Sequence, residues 1–123
     1  MKMLKKILIV DDASLIRNIA QKAVLEAGHE AVLVNNGKDG LAAVEKGDID
    51  FIFSDINMPI MSGMEMIKKI RTQETFRYLP IVMLTTENKP ELQKQAQELG
   101  VKAWLVKPFN KEKFLLVLTK LLG

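Results

Sequence analysis

Five short runs of β-branched and aromatic residues punctuate this chain, and a segment of helical periodicity follows each one. The runs are KKILIV (5–10), EAVLV (30–34), FIFSD (51–55), IVMLT (81–85) and AWLV (103–106). Each is nearly continuous in apolar residues, which is the pattern of a strand buried on both faces. Between them, apolar residues return at helical spacing. The first set is Leu15, Ile16, Ile19, Ala23 and Ala27, stopped by Gly28. A second helix pattern spans about Lys38 to Lys46 and ends at Gly47. Ser62 is placed to cap a third, in which Met64, Ile67 and Ile70 share a face. Pro90 suits the first turn of a fourth, with Leu92, Ala96 and Leu99 on its buried side and Gly100 at its end. Phe114, Leu115, Leu118, Leu121 and Leu122 line a fifth. Strict alternation of this kind predicts an α/β fold, a parallel sheet with helices on both faces.

The length of 123 residues fits one domain with its own core. No interior linker, repeat or low-complexity segment interrupts it. Cysteine is absent, which excludes disulfides and thiolate metal sites. The basic start is followed by an apolar run of only Ile7 to Val10, too short for a signal peptide, and no stretch approaches a membrane span, so a cytoplasmic location is expected. The formal charge of +3 is unevenly spread. Residues 1–88 carry 11 Lys+Arg against 12 Asp+Glu, whereas residues 89–123 carry 7 against 3. A solvated lysine surface accounts for this; a face for an acidic partner is the sharper reading. Nucleic acid fits less well, because the basic part has no arginine and no interleaved aromatic array.

In open parallel sheets, ligands sit outside the carboxyl ends of the strands. Those ends carry Asp11 and Asp12 after the first strand, Asp55 and then Asn57 after the third, Thr85, Thr86 and Glu87 after the fourth, and Lys107–Pro108 after the fifth. The second ends in Asn35 and Asn36, with no acid, base or hydroxyl. Singly, each has an ordinary explanation: Asp11–Asp12 as a helix cap, Asp55 in an Asx turn before Pro59, Lys107–Pro108 as a loop. Jointly they place three carboxylates and one ammonium in one cleft. Crowded carboxylates require protons or a divalent cation. An all-oxygen donor set selects a hard ion such as Mg²⁺. Carboxylates, Mg²⁺, a lysine and a hydroxyl suit phosphoryl transfer, with Asp55, on the central strand of the set, as nucleophile.

This set of residues, with Phe109 completing Lys107-Pro108-Phe109, resembles the receiver domain of two-component response regulators over the whole chain, Lys5 to Leu122. The resemblance implies a flavodoxin-like sheet of order 2-1-3-4-5 and a single receiver domain over residues 1–123, with no output domain after the fifth helix. It implies that Asp55 accepts a phosphoryl group from the phosphohistidine of a histidine kinase. Mg²⁺ would be held by the Asp12 and Asp55 side chains and the Asn57 backbone carbonyl, with Asp11 acting through water. Thr85 and Lys107 would hold phosphoryl oxygens, and the Lys107–Pro108 peptide would be cis. Thr85 and an aromatic residue three positions before the lysine, here Trp104, form the family's switch pair. Thr86, with Glu87 beside it, would govern water's access to the acyl phosphate.

Tryptophan at 104, the TTE stretch at 85–87 and Asn57 are similar to single-domain chemotaxis receivers. That subgroup implies a monomer whose output is protein binding through helix four, strand five and helix five, directed at an acidic segment of the flagellar motor switch. A phosphorelay intermediate is a rival within the family. A haloacid-dehalogenase-type phosphatase wants a second acid two positions after its nucleophile on strand one, where Ala13 stands. A flavodoxin wants a hydroxyl-rich loop after strand one, where only Ser14 is available. His29 is expected to be an exposed turn residue, and the methionines at 58, 61, 64 and 66 to fill gaps.

Overall fold

The computed structural model describes residues 4–86 and 89–122. The strands are β1 (Lys6–Val10), β2 (Glu30–Val34), β3 (Phe51–Asp55), β4 (Ile81–Thr85) and β5 (Ala103–Val106). They alternate with α1 (Ser14–Glu26), α2 (Gly37–Glu45), α3 (Gly63–Arg71), α4 (Pro90–Glu98) and α5 (Lys111–Leu122). All strand pairs are parallel, and the sheet order is β2-β1-β3-β4-β5. The predicted fold class and strand order are therefore observed. A 3-10 turn at Glu74–Phe76, not anticipated from the sequence, connects α3 to β4.

Alternate residues of the central strands feed two cores. Ile7, Ile9, Phe51, Phe53, Val82 and Leu84 face α1 and α5, meeting Ala20, Ala23, Val24, Phe114 and Leu118. Leu8, Val10, Ile52, Ile81 and Met83 face α2, α3 and α4, meeting Val44, Met66, Ile67, Ile70 and Ala96. β1, β3 and β4 are buried on both faces because each has helices above and below it. Met64 and Met66 are buried in the second core and Met58 and Met61 pack against it, the gap-filling role expected of them.

Local signals act where the sequence places them. Ser62 Oγ accepts the Glu65 N–H at 3.1 Å, and Asn36 Oδ1 accepts the Asp39 N–H at 2.8 Å. Pro90 occupies the first turn of α4, and Gly28 and Gly100 close α1 and α4 at φ of +86° and +76°.

Three apolar or polar assignments change. Leu15 is 69% exposed, because it lies about 100° around α1 from Ile16, off the face that buries Ala20, Ala23 and Val24. Leu121 is likewise turned outward; α5 buries Phe114 and Leu118. His29 is half-buried instead of free in solvent, and its Nδ1 accepts the Lys5 N–H at 3.0 Å, tying the α1–β2 turn to the start of β1.

The β3–α3 loop is tightly packed. Gly63 donates its N–H to the Ile56 carbonyl at 2.7 Å, and a Cβ on it would overlap the Asp55 carbonyl oxygen. Before it, Met61 N–H bonds the Pro59 carbonyl at 2.7 Å across Ile60, whose φ is +71°. This is a γ-turn of the strained hand with a β-branched residue at its centre, and Ile60 is 76% exposed. Two substitutions in this loop should therefore act in opposite directions. Ile60→Gly relieves the left-handed strain and should raise unfolding free energy by about 1 kcal/mol, while Gly63→Ala should lower it by about 3 kcal/mol. Urea midpoints measure both; an Ile60→Gly variant less stable than the parent would refute the strain.

Candidate functional site

The carboxyl ends of β1, β3, β4 and β5 meet in one cleft. β1 lies beside β3, β3 beside β4 and β4 beside β5, so the loops that follow them are neighbours although far apart in sequence. Asp11, Asp12 and Asp55 each present a carboxylate oxygen, and these oxygens all lie within 4.8 Å of one another. Lys107 Nζ reaches Asp11 Oδ2 at 2.7 Å and Asp55 Oδ2 at 3.3 Å. The shorter contact is an ion pair whose angles fall outside hydrogen-bond geometry. Asp11 and Asp55 are buried, whereas Asp12 is exposed at the mouth.

Each side chain is aimed by its own loop. Asp11 donates its N–H to the Val34 carbonyl at 3.2 Å, continuing the β1–β2 ladder, and its Oδ1 accepts the Ala13 N–H at 2.9 Å. The helix N-cap itself is Ala13, with no side-chain cap, so the paired aspartates are not serving as one. Asp55 Oδ1 accepts the Ile56 N–H at 2.8 Å, while Ser54 Oγ donates to the Asp55 carbonyl at 2.8 Å, closing the strand end from behind. Lys107 is delivered by a cis peptide to Pro108, and its N–H bonds the Thr85 carbonyl at 2.9 Å. Phe109 is buried against Phe114 at 5.8 Å between ring centroids, and Phe114 against Phe53 at 4.2 Å, which roots the lysine loop in the core under β3.

The remaining expected residues fall around this centre. Thr85 is buried at the end of β4, and Thr86 follows it, exposed. Asn57 is exposed in the loop after Asp55. Glu87 lies outside the described residues. Trp104 pairs in register with Met83 and is half-buried; its indole Nε1 is buried with no hydrogen-bond partner among the described residues. Two contributors were missed from sequence: Ser54, indistinguishable there from any strand serine, and Arg17, whose Nη1 donates to the Asp11 carbonyl at 2.7 Å. An arginine one α-turn beyond the start of a helix gives no sequence signal of where its guanidinium will go.

Electrostatics tests whether a cation belongs here. Burial, and then the neighbouring Asp11 charge, push the Asp55 carboxyl above the ordinary carboxylate range, against the opposing pull of Lys107 and the Ile56 N–H. One lysine leaves the three acids undercompensated, and the donors are all oxygen. The residues present fit a hard divalent cation such as Mg²⁺.

A raised folded-state pKa favours the protonated carboxyl in the native state, so stability is highest below the ordinary carboxylate range and is lost as pH rises through the raised value. In metal-free protein at neutral pH, Asp55→Asn should therefore raise Tm by a few degrees, since Lys107 keeps Asp11 as a partner. The gain should vanish below pH of about 4. Thermal melts in EDTA across that range decide it; an equal gain at both ends would contradict the assignment.

Comparison with known proteins agrees with this geometry. Residues 7–119 match the response regulator receiver domain family. The chain is 40% identical over 106 residues to chemotaxis protein CheY-3 of Vibrio cholerae, covering 85% of this chain and 82% of that one. It superposes with a TM-score of 0.89 on the chemotaxis response regulator CheY4 of Vibrio cholerae, at 40% identity, covering 96% of this chain and 98% of the other. The receiver domain of the sensor histidine kinase PA1611 of Pseudomonas aeruginosa, solved with a magnesium ion coordinated in its active-site cleft, gives 0.84 at 25% identity over 95% of this chain and 96% of that one. With the sheet order, the acid cluster and the bridging lysine in place, the chain belongs to the response regulator receiver domain family.

Proposed function

We propose that this protein is a phosphorylatable switch of two-component signalling, acting in chemotaxis, with Asp55 as its phosphoacceptor. The observation that carries the reading is Lys107 Nζ standing between the buried carboxylates of Asp11 and Asp55, at 2.7 and 3.3 Å. In the transfer, an Asp55 oxygen attacks the phosphorus of a kinase phosphohistidine. The P–N bond breaks as the O–P bond forms, and the imidazole leaves with its electron pair and takes a proton from solvent. Lys107 offsets negative charge on the phosphoryl oxygens, and Thr85 offers a hydroxyl to one of them. Mg²⁺, held by Asp12, Asp55 and the Asn57 carbonyl with Asp11 behind a water, would supply the positive charge that keeps Asp55 ionised at neutral pH. Ser54 Oγ on the Asp55 carbonyl and the Ile56 N–H on Asp55 Oδ1 hold the acceptor in place, so little reorganisation is needed.

Phosphorylation adds about one negative charge and new acceptor oxygens at the strand ends. Thr85 draws toward them, and Trp104, with its unsatisfied indole N–H, follows. The readout face is α4, β5 and α5. α4 buries only Ala96 completely, and a groove of about 290 Å³ runs between it and β5, lined by Gln93, Ala96, Gln97, Val101, Ala103 and Trp104. Exposed Lys94, Lys102, Lys113 and Lys120 surround this third of the chain, as an acidic motor-switch segment would require. The chemotaxis assignment is supported by the relatives named above.

Mass spectrometry after incubation with acetyl phosphate tests the acceptor. One phosphoryl group should appear on the parent protein only with Mg²⁺, accompanied by a change in Trp104 fluorescence, and neither should occur in Asp55→Asn. An adduct persisting in Asp55→Asn would displace Asp55, and turnover of many small phosphomonoesters would instead indicate a phosphatase.

A further inference from the structure

We infer that Arg17 is a positioning residue for the metal site, acting through the Asp11–Asp12 peptide; this rests on the Mg²⁺ site proposed above. Asp12 is the exposed member of the acid cluster, so its direction depends on the backbone from which it springs. The Asp11–Asp12 peptide is a rigid plane, and fixing its carbonyl oxygen fixes the opposite N–H and the exit of the Asp12 side chain. Arg17 Nη1 donates to that oxygen at 2.7 Å, a charge-assisted bond of the stronger kind. Arg17 is itself anchored in the first turns of α1, where its N–H bonds the Ala13 carbonyl at 3.1 Å. On the other side of the same peptide plane, Asp11 is held by Val34 and by the Ala13 N–H. The loop is thus clamped at both ends, and the guanidinium is the clamp nearer Asp12.

The sign of the effect separates this role from simple electrostatics. A fixed positive charge beside a cation site repels the cation, so removal of Arg17 by charge alone would tighten Mg²⁺ binding. Loss of a positioning bond does the reverse, and outer partners of this kind typically change metal affinity by about tenfold or more. Isothermal titration with Mg²⁺ alone, on the full chain, measures it. Arg17→Met should bind Mg²⁺ about tenfold more weakly than the parent, and Arg17→Lys, which restores a donor and the charge, should recover most of the loss. Arg17→Gln, which drops the charge and whose amide nitrogen stops two bonds short of the position of Arg17 Nη1, provides a second variant should the methionine protein fail to fold; it should also bind more weakly than the parent. Parent protein that binds Mg²⁺ together with Arg17→Met or Arg17→Gln variants that bind it equally or more tightly would overturn the positioning role alone. Parent protein that binds no Mg²⁺ would overturn both this inference and the site it rests on.

Discussion

Three carboxylates within 4.8 Å of one another, two of them buried, set the terms for the rest of this molecule. Like charges at such separations repel by several kcal/mol once water is withdrawn, roughly 4 kcal/mol for a pair at 4 Å in a partly shielded site. Nothing in the local chain favours that arrangement. It persists because a well-packed sheet, buried on both faces at β1, β3 and β4, holds the strand ends where they are. The hydrophobic cores stabilise a cleft that is electrostatically costly, and a cation of the kind proposed above would offset that cost. Lys107 is the partial compensation in the resting state, and it is the same group that meets the phosphoryl oxygens in the transfer proposed.

The loops around the cleft are rigid for the same reason. The buried Phe109, the close approach of Gly63 to the Asp55 carbonyl and the turn at Ile60 hold the loops beside the acids. A loop free to relax would let the carboxylates swing into solvent and separate. By contrast, α4 is lightly held, with one fully buried residue and an open groove along β5. Arg71 ties its far end to the turn after α3, donating from Nε to the Leu99 carbonyl at 2.7 Å and from Nη1 to the Phe76 carbonyl of the 3-10 turn at 2.9 Å. A stiff reaction centre beside a loosely packed helix, with Trp104 between them, is a physical layout in which a local change of charge can be read at a distant surface.

Much of this was legible from the chain alone. Strand boundaries came out at 30–34, 51–55, 81–85 and 103–106 because continuous apolar runs ended by turn residues have few alternative structures. Helix ends followed from Ser62, Pro90, Gly28 and Gly100, whose capping preferences are local. Helical spacing names Leu15 and Leu121 beside residues that are buried but does not say how far the covered stripe extends, and both are exposed. His29 was misplaced because its partner, the Lys5 N–H, is supplied by another strand.

Which charged residues gather in the candidate cleft, Asp11, Asp12, Asp55 and Lys107, could be read from the sequence, since ligands in open parallel sheets sit outside the carboxyl ends of the strands and few residues there carry charge. Their mutual distances could not. That Lys107 touches Asp11 and Asp55 at once, and that Arg17 reaches the Asp11 carbonyl, depends on which strands are neighbours and on how far each helix start overhangs the sheet. Periodicity is a property of adjacent residues and survives in one dimension. Convergence of groups dozens of positions apart is a property of packing, and only the folded chain decides it.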